Sequence, residues 1–335
     1  MQSSPLQTLS NAVVTVFDVY IVRFLDWFAQ IIGPALVVFA LAIIASCTYV
    51  FFMYVVPFYD WDIVSGTGII SMGLFFLFNS LYNYYKCVCV SPGFPPTSAE
   101  IEEAGEVSAL GNRLCNQDPL SDDEEEGRRI RYKQTTYAVC GKCDRIRPPR
   151  THHCSVCNSC VLKMDHHCPW IYNCVGRGNQ KYFYLFLLHV FLVDLFFVIT
   201  SCRPAIKAFG APIADPGRPW IVLTFVIAAV LCVAVGAFLA FHTYLIMRNM
   251  TTIEFMIPDG ASRTRYNGRF VRNPHDQGLR RNWESVFGHD NGSFWRLKWA
   301  LSFLHKDEEH DDAYISKTTE PHEGTRRCDL VPPKE

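Results

Sequence analysis

Residues 34–56 read PALVVFALAIIASCTYVFFMYVV, twenty-three positions without one charged side chain. A bilayer core about 30 Å thick is crossed by about 20 such residues in a helix, so the stretch predicts a transmembrane span. A core helix of a soluble protein would show a polar stripe at helical spacing, and this run has none. Outward from it lie three further runs: 63–85, stopped by Lys86; 182–202; and 220–247, closed by Arg248. Upstream, residues 13–32 are also apolar but are interrupted by Asp18, Arg23, Asp26 and Gln30. No basic segment precedes them and no small-residue cleavage site follows, so they read as an interfacial helix lying along the membrane rather than a signal peptide.

Composition agrees with a membrane protein. Half of the 335 residues are hydrophobic, 19% are charged and 25 are Phe. The net charge of −1 provides no basic field for nucleic acid. Most Lys and Arg fall in the loop between the second and third runs and after the fourth, while the turn around Asp60 has none. The positive-inside rule then puts the central loop and the tail in the cytosol, and the Asp60 turn and residues 203–218 on the other side.

The central loop holds seven of the fourteen cysteines, in CGKCDRIRPPRTHHCSVCNSCVLKMDHHCPWIYNC, residues 140–174. In a reducing compartment this density at two-residue spacings is a zinc pattern rather than a disulfide framework. The segment offers Cys140, Cys143, Cys154, Cys157, Cys160, Cys168 and Cys174, with His152, His153, His166 and His167. Two tetrahedral sites use eight of these eleven and leave three over. A closed site leaves no open position for chemistry, so any reaction falls to the surplus. Cys168, beside two histidines and three residues after Asp165, has the surroundings of an activated thiol nucleophile. The alternative, that every one of these residues is a ligand or a support, stays open on spacing alone.

The segment around Asp165-His166-His167-Cys168 resembles the cysteine-rich domain of the DHHC family of protein S-acyltransferases. Pro148, Arg150, Pro169-Trp170, Asn173 and Gly176 carry the resemblance further. Thr251-Thr252-Ile253-Glu254 is similar to the family's TTxE motif, and Asn282 with Phe287-Gly288 to its tail motif. Ser91-Pro92-Gly93 departs from the usual Asp-Pro-Gly. The resemblance implies an all-α polytopic membrane protein, four helices with a small cytosolic zinc-bound domain between helices 2 and 3. It implies one zinc on Cys140, Cys143, His153 and Cys160, and a second on Cys154, Cys157, His167 and Cys174. Cys168 is then the nucleophile, His166 the base and Asp165 the residue that fixes it. Thr252 would contact that aspartate, braced by Thr251 and Glu254, with Asn282 in support. Trp170 would lie near the acyl-chain entrance, and Arg147 and Arg150 are candidates for the CoA phosphates. The co-substrate would be acyl-CoA such as palmitoyl-CoA, and the partners proteins with membrane-proximal cysteines. The family prior places the protein in the endoplasmic reticulum or Golgi.

The chain then divides into an N-terminal segment (1–33), helices 1 and 2 (34–90), and a linker with the acidic run 122–126 (91–136). The zinc domain (137–181), helices 3 and 4 (182–247), a C-terminal domain (248–305) and a disordered tail (306–335) follow. His189 and Asp194 sit inside the third run, where ionisable groups point either to function or to an inter-helix hydrogen bond. Cys87 and Cys89, at the end of the second, are either acylation sites or ordinary apolar residues. The competing class is a non-catalytic membrane zinc scaffold or adaptor, which accounts for ligands and spans but not for a surplus Cys168.

Overall fold

The computed structural model describes residues 5–103, 129–132, 135–212, 216–257, 264–266, 269–271, 273 and 275–288. The acidic run 122–126 and the tail 306–335 lie outside the described residues. Among those described, four helical stretches are long and apolar enough to cross a bilayer: Arg23–Val55, Ile63–Cys89, Gln180–Phe209 and Arg218–Met247.

Helix α1 (Pro5–Val50) passes through Pro34 and ends in a π turn at Phe51–Val55. The stretch read as interfacial continues directly into the span. Proline removes one backbone donor, but a bilayer supplies no water to compete for the remaining helix bonds, so the helix persists. Asp62 caps α2 (Ile63–Cys89), its carboxylate accepting from the backbone N–H of Val64 and of Ser65, each at 3.0 Å. Helices α4 (Gln180–Phe209) and α5 (Arg218–Met247) complete the set, with α3 a single short turn at Ser98–Glu103.

Burial in the spans is inverted relative to a soluble protein. Leu223, Val226, Val230 and Val233 are exposed along one face of α5, the arrangement of a helix facing lipid. Asn79, Ser80, Asn83, Ser201 and Thr224 are buried instead. Each donates to the carbonyl four residues before it: Asn79 to Phe75, Ser80 to Phe76, Asn83 to Asn79, Ser201 to Phe197 and Thr224 to Trp220. Where water is absent, polar groups must be satisfied within the protein.

Two compact units are present. The first gathers α1, α2, residues 165–175, α4, α5 and the chain that follows. That chain holds α6 (Thr252–Met256) and α7 (Leu279–Phe287), whose Trp283 and Phe287 pack with Tyr184, Leu185 and Ile246. The second unit includes residues 91–164 and 176–178. It holds the hairpin of β1 (Arg129–Tyr132) with β2 (Thr135–Ala138) and that of β3 (His152–Cys154) with β4 (Ser159–Val161). Ile101, Tyr137, Val139, Ile146 and Leu162 form its core. Ser91, which replaces the family's aspartate, accepts from the Gly93 N–H at 3.1 Å, so a hydroxyl does the turn-making work of the missing carboxylate. Gly178 is required there, since a Cβ would strike the Ser91 carbonyl.

The segment 137–181 therefore divides. Its last hairpin, β5 (His166–Cys168) with β6 (Asn173–Val175), belongs with the membrane helices. Ile171 and Val175 enter a cluster with Tyr84, Cys87, Tyr182 and Phe183. Asn173 Nδ2 donates to the carbonyls of Cys87 and Val90, both at 3.0 Å, and seals the last turn of α2.

Candidate active site

The two Cys/His hairpins are copies of one design displaced by fourteen residues. His153 pairs with Cys160 in β3–β4, and His167 pairs with Cys174 in β5–β6. Asn158 and Tyr172 occupy the same left-handed turn position, with φ of 49° and 47°. The copies differ at one place that decides the chemistry. Cys154 is followed at the third position by Cys157, but Cys168 is followed by Ile171, fully buried. The second hairpin has Ile171 where the first has a thiol, so Cys168 has no thiol partner in its own turn.

In the second unit, one donor atom from each of Cys140, Cys143, His153 and Cys160 lies within 4.8 Å of the others. Cys140 Sγ stands 3.6 Å from His153 Nδ1. Bonds of about 2.3 Å to sulfur and 2.0–2.1 Å to nitrogen at the tetrahedral angle require about 3.6 Å, so the donor set fits zinc. The first unit repeats that separation between Cys174 Sγ and His167 Nδ1, also 3.6 Å. Cys154 and Cys157 form a turn of their own, with the Cys157 N–H directed at Cys154 Sγ, 3.4 Å away.

Asp165, 1% exposed, has both carboxylate oxygens hydrogen-bonded. Its Oδ1 accepts from the Thr252 N–H at 2.8 Å, and Oδ2 from Thr252 Oγ1 and His166 Nδ1, each at 2.7 Å. The motif Thr251-Thr252-Ile253-Glu254 makes these bonds available because it starts a helix. Thr251 is the N-cap of α6 and accepts from the Glu254 N–H at 3.2 Å, while Glu254 accepts from the Thr251 N–H at 2.8 Å. This capping box turns the Thr252 N–H and hydroxyl onto Asp165.

Nδ1 of His166 is committed to Asp165, and the Cys168 thiol lies close enough to favour the ring's charged form. Burial disfavours the imidazolium, but the hydrogen bonds to Asp165 and Cys168 and their negative charge outweigh it and lift His166 to about 9. Burial likewise works against the Asp165 carboxylate and is overcome by the hydrogen bond and charge of His166 and by Thr252, so its value is lowered.

Cys168 lines a cavity of about 700 Å³ among α1, α2, α4 and α5. Tyr84, Trp170 and Phe183 line it too, and from Phe183 to Phe197 it follows fourteen residues of α4, about 21 Å of helix. That length is about two thirds of the thickness of a bilayer core. The walls are almost wholly apolar, the exceptions including Cys47, Thr48, Ser80 and Asp194. Trp170 stands half-exposed near the Phe39 ring, 6.5 Å between centroids, and its carbonyl accepts from Tyr84 Oη at 2.8 Å.

The remaining sequence candidates fall as follows. Asn282, fully buried, donates to the Met247 carbonyl at 2.8 Å and ties α7 to the end of α5. Arg147 is exposed and Arg150 half-buried, both on the second unit. His189 donates to the Leu185 carbonyl at 2.8 Å within its own helix, whereas Asp194 borders the cavity. Cys87 is fully buried and Cys89 exposed. Sequence reasoning missed Tyr84, which had no motif to mark it. It also missed His242, an ionisable residue inside the fourth span whose ring lies 5.8 Å from that of His166.

The description DHHC palmitoyltransferase belongs to the family model that matches residues 133–259. The chain is 36% identical to the probable protein S-acyltransferase 14 of Arabidopsis thaliana over 243 residues, 70% of this chain and 73% of that one. Human palmitoyltransferase ZDHHC2 is 38% identical over 160 residues, 47% of this chain and 42% of its own. Human palmitoyltransferase ZDHHC20 is 38% identical over 164 residues, 48% and 43%. With the signature dyad, the capping motif and the four spans already in place, this similarity means that the chain belongs to the DHHC palmitoyltransferase family.

Proposed function

We propose that this multi-pass protein S-acyltransferase works through an acyl thioester on Cys168, with His166 as base and Asp165 as the residue that orients it. The observation that carries the reading is Asp165, His166 and Cys168 gathered at an apolar cavity that follows α4 for about 21 Å.

With Nδ1 bonded to Asp165, His166 takes the thiol proton of Cys168 on its other nitrogen. The thiolate attacks the carbonyl of an acyl-CoA, the bond to the CoA sulfur breaks, and His166 returns the proton to that sulfur. In the second half a protein thiol gives its proton to His166, attacks the acyl group, and Cys168 leaves and is reprotonated. A free thiol titrates near 8.5, and an imidazole that holds its proton up to about 9 is well matched to receive it. One thioester replaces another, so the enzyme needs positioning and no energy source. Burying a chain of sixteen carbons is worth on the order of 10 kcal/mol at about 0.8 kcal/mol per methylene, which makes the cavity the anchor for palmitate or a similar chain.

Zinc, when bound, supplies structural cross-links and no reactive group. Cys140, Cys143, His153 and Cys160 would hold one ion. Cys154, Cys157, His167 and Cys174 are assigned to the second by the resemblance to the family. Arg147 and Arg150 are candidates for the CoA phosphates, and the family prior remains the endoplasmic reticulum or Golgi with the site facing the cytosol. Purified protein incubated with labelled palmitoyl-CoA tests the reading. Wild type should take up a hydroxylamine-sensitive label, and Cys168→Ser should take up none while keeping two zinc ions per chain. Full transfer by that variant would overturn the mechanism.

A further inference from the structure

His242 is 3% exposed on α5, nine residues before Thr251. Its ring is wedged among Phe238, Phe183 and Phe241, with centroids 4.5, 5.2 and 5.6 Å away. The neighbour that breaks this apolar set is His166, at 5.8 Å. One ring nitrogen of His242 lies within 4.8 Å of both the Asp165 carboxylate and a His166 nitrogen. Its Nε2 is buried and has no hydrogen-bond partner among the described residues. A phenylalanine would fill the same aromatic nest without desolvating a polar atom, so packing alone gives no reason for an imidazole here.

Asp165 has a place for a donor from His242. An ionised carboxylate offers about four acceptor positions, and Thr252 and His166 occupy three, two of them on Oδ2. One position on Oδ1 remains. Closing a gap of at most 4.8 Å to hydrogen-bond distance takes a shift of about 2 Å, and catalytic hydrogen bonds commonly tighten when substrate binds.

We propose that His242 is a positioning residue of the acyl-transfer site, which donates to Asp165 during turnover and, together with Thr252, holds His166 on Cys168. The proposal rests on the Cys168 and His166 roles given above.

The test uses full-length protein in lipid nanodiscs with palmitoyl-CoA, measuring kcat and KM for acylation, melting temperature and zinc content. His242→Phe keeps the ring and removes both nitrogens. It should lower kcat by about 10- to 100-fold, leave KM within about twofold, and melt at or above the wild-type temperature with zinc unchanged. His242→Gln restores a donor and should recover part of the rate. A wild-type kcat in His242→Phe overturns the proposal. So does a loss of rate that parallels a loss of stability in both variants, which would mark a packing role. Zinc content that exceeds two per chain and drops by one in His242→Phe would make the residue a ligand and overturn it too. If His242→Phe does not fold, His242→Leu takes its place under the same criteria. Cys168→Ser runs beside them: label on that variant removes the underlying mechanism, whereas a blank there with a fully active His242→Phe removes only this inference.

Discussion

His166 is held between two opposed influences. Burial strips water from the imidazolium, while Asp165 at 2.7 Å and the Cys168 thiol favour it, and the balance settles at about 9 against an ordinary 6.5. The folded value is the higher one, so the charged ring stabilises the fold fully below about 6.5, and that contribution disappears as pH rises through about 9. Its size is at most about 3 kcal/mol, from 1.36 kcal/mol per pKa unit. Asp165 has the opposite sign, stabilising above its ordinary 3.8 and losing effect as the medium is acidified. Wild-type protein should therefore melt at progressively lower temperature between pH 7 and pH 10, and His166→Gln should flatten that slope. An equally steep slope in the variant would mean that His166 is not paired as described. Cys168 and its neighbours could be named from the sequence because the ligand count left three residues over and the family resemblance made Cys168 one of them. His242 was not, because a single histidine in an apolar span has no spacing relation to a motif 74 residues before it.

Among the elements, α6 shows why threonine and glutamate stand at fixed places in Thr251-Thr252-Ile253-Glu254. One threonine caps, the glutamate closes the box, and the other threonine is thereby aimed at Asp165. Thr251→Ala removes the cap and should cost about 1 kcal/mol of stability. It should slow acylation by more than that loss explains, because Thr252 loses its orientation; a chemical melt read beside kcat on the same preparation checks it. The spacing of the motif was visible in the sequence, but its partner was not, since Thr252 and Asp165 are 87 residues apart. The span boundaries were also only partly legible. Apolar runs mark where lipid begins and ends, whereas helices continue for as long as their backbone bonds are satisfied. Helix α4 passes Pro204 to reach Phe209, with Lys207 in its last turn favourably placed against the helix dipole. Asn249 and Asn273 gave no signal either, yet Asn249 donates to the His275 carbonyl at 2.7 Å and Asn273 to that of Arg248 at 2.6 Å, fastening the chain beyond α5.

At the scale of the whole molecule, four spans place the Asp60 turn and residues 203–218 on one side and the signature segment on the other. The mechanism proposed above, with its reduced thiol, zinc thiolates and soluble acyl-CoA, calls for that second side to be the cytosol. Glycosylation acceptors inserted near Asp60 or within 203–218 should be modified, and acceptors near Ser121 or Glu320 should not; a gel-mobility shift before and after glycosidase reads the result. Modification near Ser121 would put the active site in the wrong compartment. With Cys168 carrying the acyl group as proposed above, the Asn173 amide, bonded to the carbonyls of Cys87 and Val90 at the end of α2, has a consequence for which proteins would be acylated. It leaves Cys168 no swinging arm. A thiol pinned to the end of a membrane helix cannot go out to meet its target, so the target cysteine has to arrive at that one height above the lipid. Proteins would then be chosen by the address at which a cysteine is delivered, and hardly at all by the residues written around it.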